Sequence, residues 1–183
     1  SLTGSFAFVP SASQEPCLSD ASVLHHRDND LLAALSPKTL ALLETGLKEV
    51  SAVQGTVFLE PGQAIDQLYF PQSGMISLLV VTSDGGAIEA STIGKEGAVG
   101  LHGGLGERQS FTRASVQVSG RFSTIRARLF REVALGNADI REMIARYTEA
   151  LWAEAQQVAA CNAVHDVSSR LCRWLLQTAD RTN

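Results

Sequence analysis

The spacing of apolar residues changes twice along the chain, and each change marks a different kind of structure. Between residues 30 and 47 the pattern is helical. Residues 30–35 predict one or two turns, and Ser36-Pro37 opens a second helix as N-cap and first helical residue. Leu40, Leu43 and Leu47 recur behind it at helical spacing, with Gly46 near its end. From Lys48 the period shortens. Seven runs rich in β-branched or aromatic residues follow, at 50–53, 56–59, 67–70, 75–81, 87–93, 114–118 and 121–125. Turn residues separate them: Gln54-Gly55, Glu60-Pro-Gly62, Pro71-Gln-Ser-Gly74, Ser83-Asp-Gly-Gly86 and Ser119-Gly120. Asp84-Gly85 between two of the runs predicts a hairpin. Short strands at this density point to a sandwich or small barrel.

After Ile125 the helical period returns. Residues 127–133 predict a short helix, and Asn137 with Asp139 in the first turn opens a long one reaching about Cys161. Its apolar residues form two stripes. Ile140, Ile144, Tyr147, Leu151 and Val158 make one, with Ala155 on the same side; Ala145, Trp152, Gln156 and Ala159 make the other. At helical rise the element exceeds roughly 30 Å, long for the side of one small roll. A copy of the same helix is therefore the expected partner of the second face, through Ala145, Leu151, Trp152, Gln156 and Ala159; burial of both stripes within one chain is the alternative. Asp166-Val167 interrupts the helix. Val167, Leu171, Trp174 and Leu175 then resume helical spacing to about Thr178.

Composition narrows the class. At 183 residues, 45% apolar and 19% charged, the sequence suits one folded domain with an appendage. A net charge of −4 speaks against a broad nucleic-acid-binding surface on this chain. No run has the length of a membrane span, and residues 1–10 lack the features of an export signal. Cys17, Cys161 and Cys172 are too far apart in sequence to suggest a disulfide framework and suit a reducing cytoplasm. Residues 1–29 predict a loose or docked tail, in which His25-His26 reads as a solvated pair.

The candidate chemistry lies in residues 97–114. Five glycines fall between Gly97 and Gly106, followed by Arg108 and Arg113. Backbone N–H groups freed by glycine, joined by a guanidinium fork, are what an anion requires. A plain surface loop is the alternative.

In order along the chain, four pieces resemble the Crp/Fnr superfamily of bacterial transcription regulators and, more widely, cyclic-nucleotide-binding domains. They are Gly55-Thr-Val-Phe-Leu-Glu-Pro-Gly62, Leu68-Tyr-Phe-Pro-Gln-Ser-Gly74, the 97–114 loop, and Cys161-Asn-Ala-Val-His165 leading into Arg170-Leu-Cys-Arg-Trp-Leu-Leu176. The resemblance spans about residues 31–180. It implies an α+β chain with a double-stranded β-helix (jelly-roll) sensor domain, flanking short helices and a long C-terminal dimerisation helix. The implied divisions are a tail at 1–29, the roll at 30–136, the dimerisation helix at 137–165, and the truncated start of a DNA-binding region at 166–183. The loop would be a phosphate-binding cassette, with Gly97 and Gly100 as its glycines and Arg108 as its phosphate arginine. Gln109 stands where a small hydroxyl residue is usual, and Ala155 and Gln156 would face the purine. Ala98 occupies the position of the family's ribose-binding glutamate, two residues after Glu96. Losing that carboxylate removes roughly 1.5–3 kcal/mol, about ten- to a hundredfold in affinity. The expected effector is therefore a cyclic nucleotide or other small anion, but not cyclic AMP held in the usual way.

Other chemistries find less support. An iron–sulfur cluster needs four thiolates, and His102 is the one candidate haem ligand. Cys161 and His165 lack companion metal ligands. No nucleophile–base or carboxylate pair indicates an enzyme. The expectation is thus a cytoplasmic homodimeric sensor without a metal, reaching DNA through a helix-turn-helix outside this sequence. A stand-alone ligand-binding or protein-interaction module is the alternative.

Overall fold

The computed structural model of the chain describes residues 25–106 and 108–182. The tail expectation for residues 1–24, Cys17 included, lies outside the described residues. The rest of that segment is docked. His26 is buried, its Nδ1 2.7 Å from the Ser123 hydroxyl, so the two histidines are not a solvated pair: only His25 is exposed. Asn29 is fully buried and caps α1 (Asp30–Ala33), its Oδ1 accepting from Leu32 N. Ser36 caps α2 (Pro37–Glu44) by accepting from Thr39 N, and Thr39, Leu40 and Leu43 are buried.

The strands form two antiparallel sheets. One runs β1 (Lys48–Ala52), β7 (Gly120–Arg126), β3 (Gln67–Pro71); the other runs β2 (Val57–Leu59), β6 (Arg113–Val118), β4 (Met75–Val81), β5 (Ala87–Ile93). The pattern located all seven within about two residues. β1 starts at Lys48 rather than Val50 because the ladder with β7 already holds Lys48 opposite Thr124. The β4–β5 hairpin closes on Gly85 at φ +85°. At the β3–β4 turn, Gly74 is required twice over: its φ is +79°, and a Cβ there would meet Val118 O at 2.5 Å.

Among the described residues, two apolar clusters form the core. Leu59, Ile76, Ile93, Val99, Val116 and Phe122 occupy the roll interior. Leu40, Leu43, Leu68, Phe70, Phe130 and Ile140 lie in the cluster shared with the helices. α3 (Ala127–Gly136) contributes Phe130, whose ring is 6.2 Å from that of Phe70. α4 (Ala138–Val164) has 27 residues, about 40 Å of helix, and begins where Asn137 accepts from Ile140 N. Asp166 then caps α5 (Val167–Thr182), accepting from Ser169 N at 2.8 Å. Among the described residues no helix is long and apolar enough to cross a membrane.

Candidate functional site

The glycine-rich loop is held at both ends by main-chain pairs. After β5, Val99 exchanges hydrogen bonds with Tyr69 of β3, at 2.8 and 3.0 Å. A 3-10 turn follows at Leu101–Leu105. Beyond it, Ile65 N donates to Arg108 O and Ser110 N to Gln63 O. The buried Asn29 amide adds a third fastening, its Nδ2 lying 2.9 Å from each of Pro71 O, Lys95 O and Gly97 O.

The fourth fastening comes from the long helix. Tyr147 of α4 donates its hydroxyl hydrogen to Ala98 O and accepts from Ala98 N, both at 3.0 Å. One phenol thereby satisfies both main-chain groups of a buried loop residue. Burial pushes the phenol pKa far up, so it stays a neutral donor. Gly97 permits this approach, since a Cβ there would sit 2.6 Å from the Tyr147 oxygen. Gly100, at φ +81°, turns the chain beneath β3.

The C-terminal helix also reaches the loop. Arg181 Nε pairs with Glu96 at 2.9 Å and its Nη2 with Glu154 of α4 at 2.7 Å, while Nη1 bonds the Thr92 hydroxyl. Its side chain is only 13% exposed, so this is a partly desolvated cluster rather than a loose surface pair. Glu96 also accepts from Gly94 N. Trp174 Nε1 donates to Glu89 of β5 at 2.9 Å.

The predicted residues therefore divide. Glu96, Gly97 and Gly100 lie in the packed first half of the loop beside Tyr147 and Arg181. Arg108 and Gln109 lie exposed in its second half, where Phe111 stacks on His102 of the 3-10 turn with centroids 5.9 Å apart. Ala155 and Gln156 are exposed on α4. Of the expected interface residues, Ala145, Trp152, Gln156 and Ala159 are exposed, whereas Leu151 packs half-buried against the roll interior. Ala98 faces the helical cluster and is 4% exposed, so a carboxylate on that Cβ would enter an apolar core. Inside the roll, Phe58 stacks on Tyr69 at 4.1 Å and meets Phe122 edge-on at 5.2 Å. Cys161 is buried and accepts from Gln157, which with nearby Arg173 holds its thiol pKa down.

Sequence reasoning missed three residues that organise the loop. Tyr147 was legible only as a member of an apolar stripe; its signal was a lone hydroxyl at a core-facing position. Asn29 carried an N-cap signature before Leu31-Leu32. Arg181 had no local signal, since its partners lie on distant elements.

No protein-family model and no curated protein matches the chain. Solved structures do. A cyclic nucleotide-binding domain from Methylobacillus flagellatus superposes with a TM-score of 0.65 at 10% identity, over 82% of this chain and 90% of that one. The c-di-GMP-responsive global regulator CLP of Xanthomonas campestris gives 0.63 at 19% identity, over 76% of this chain and 70% of CLP. The regulatory subunit of a cAMP-independent protein kinase A from Trypanosoma brucei, as a mutant bound to cAMP in its A site, gives 0.61 at 17% identity, over 75% of this chain. The chain spans half the length of that subunit, 50%. The fold is accordingly that of cyclic-nucleotide-binding domains, the β-roll shared with Crp-like transcription regulators.

Proposed function

We propose that the chain is the effector-sensing and dimerisation portion of a Crp/Fnr-type transcription regulator, cytoplasmic and without enzymatic activity. The observation that carries this reading is the Tyr147–Ala98 pair, which fixes the glycine-rich loop to the long helix through two bonds of 3.0 Å. A ligand that shifts the loop must break or move those bonds, and with them the helix. The Arg181–Glu96 pair extends the same linkage to α5, the segment expected to lead toward a DNA-reading domain. The exposed stripe of Ala145, Trp152, Gln156 and Ala159 supplies the face for a second copy.

The effector is a cyclic nucleotide or another small anion, but not cyclic AMP held in the usual way. Ala98 offers no carboxylate for a ribose hydroxyl, and the neighbouring Glu96 is engaged by Arg181. Gly97→Ala tests the linkage, because its methyl would displace the Tyr147 hydroxyl. Amide exchange across 167–182 is expected to accelerate in that variant. Exchange there that stays at the wild-type rate would remove the loop-to-helix coupling.

A further inference from the structure

A second region of the molecule concentrates positive charge. A cavity of about 480 Å³ opens where the exit of the loop meets the start of α3. Four of the chain's 15 basic residues line it: Arg108 from the loop, Arg126 at the end of β7, and Arg128 and Arg131 from α3. Asp66 is the one acidic residue among the described lining residues. This concentration stands out in a chain whose net charge is −4.

Local structure adds to the positive field. Arg126 is the N-cap of α3, makes no capping bond through its side chain, and is followed by no acid in the first turn. The positive end of the helix dipole thus lies among like charges, the reverse of the usual arrangement. Arg128 pairs with Glu132 at 3.1 Å, but both are well exposed at 88% and 59%. Such a pair offsets little of the charge. Arg131 donates Nη2 to Gly106 O at 3.0 Å, which aims its guanidinium from the helix toward the loop. Among the described residues, no carboxylate lies within ion-pair distance of Arg108 or Arg126. The result is a preformed cationic cavity on the outer side of the roll, built from three elements that the fold brings together.

We infer that this cavity binds a small ligand carrying two adjacent phosphate groups. A guanidinium takes a phosphate through two parallel N–H···O bonds, so Arg108 and Arg126, which have no ion-pair partner among the described residues, match two phosphates rather than one, with Arg128 and Arg131 adding to the positive field around them. The volume leaves room for an organic substituent beyond them. Because Arg131 and the Arg108 backbone both hold the exit of the loop, an occupant would contact the same elements that fasten it. The site is separate from the roll interior and does not require a cyclic nucleotide there.

The test is calorimetric titration with inorganic pyrophosphate and inorganic phosphate at about 50 mM salt, where surface charge is not fully screened. Saturable one-to-one binding of pyrophosphate is expected, with phosphate weaker by about tenfold or more. Arg126→Gln and Arg128→Gln should each weaken pyrophosphate by about tenfold, in protein whose circular dichroism is unchanged. Arg146→Gln, on the exposed face of α4 and paired with Glu142, is the control and should bind as wild type. No saturable binding, or an equal loss in the Arg146 variant, overturns the inference. A cyclic nucleotide that binds normally to the Arg126→Gln and Arg128→Gln proteins places its own site elsewhere. Failure of every cyclic nucleotide, with pyrophosphate still binding, overturns only the effector reading.

Discussion

The two faces of α4 carry comparable apolar stripes in the sequence and meet opposite fates in the structure. Ile140 and Ile144 are 0% and 3% exposed, Tyr147 and Leu151 are half-buried, and together they close the roll and its loop. On the other face Trp152 is 68% exposed, with Ala145, Gln156 and Ala159 exposed beside it. Periodicity reports that a face is apolar; it does not report what covers it. The covered face has its partner within this chain, and the bare face defines the surface through which a second copy is proposed to dock.

The difference can be broken in order of size. Ile140→Ala should cost about 2–5 kcal/mol in chemical unfolding, since it empties a fully buried site. A loss under about 1 kcal/mol would mean that the inner face is not packed as described. Tyr147→Phe keeps the ring but strands the N–H and C=O of Ala98. It should cost about 1–3 kcal/mol, and Ala98 should lose exchange protection. Trp152→Ala on the outer face should change the stability of the isolated subunit by no more than about 0.5 kcal/mol. Its solution mass should nevertheless fall from two chains to one. Unchanged mass would leave the dimer without its proposed face. Trp152 is preferred to Leu151 for this test because Leu151 also packs on the roll.

The smallest expected effect lies away from the helix. Burial lowers the pKa of His26 below its ordinary 6.5. The unfolded chain therefore binds the proton more readily, and stability, complete above about pH 6.5, falls as pH drops toward the folded pKa. The melting temperature should decline between about pH 7 and pH 5, and His26→Gln should flatten part of that decline.

Much of the fold was legible because its signals are local. Ser36-Pro37, Asn137-Ala-Asp139 and Asp84-Gly85 mark helix starts and a hairpin through bonds made within a few residues. The antiparallel strands announced themselves by short alternating or apolar runs between turn residues. The site was less legible because its residues are joined across long separations. Asn29 ties together segments near 71, 95 and 97, Tyr147 reaches Ala98, and Arg181 reaches Glu96. Glycines and arginines identified the loop, but not that its first half is locked inward while Arg108 turns toward α3. His26 likewise gave no sign of burial, since its partner Ser123 lies 97 residues away.

The most direct test of the sensor reading is a calorimetric titration of the purified chain with cyclic AMP, cyclic GMP and cyclic di-GMP, repeated on Tyr147→Phe. At least one ligand should bind saturably in the micromolar range. Cyclic AMP should be about tenfold or more weaker than the best of them, and the best should change affinity in the variant. Silence from all three, or affinities indifferent to Tyr147, would contradict a cyclic-nucleotide sensor coupled through this loop and helix.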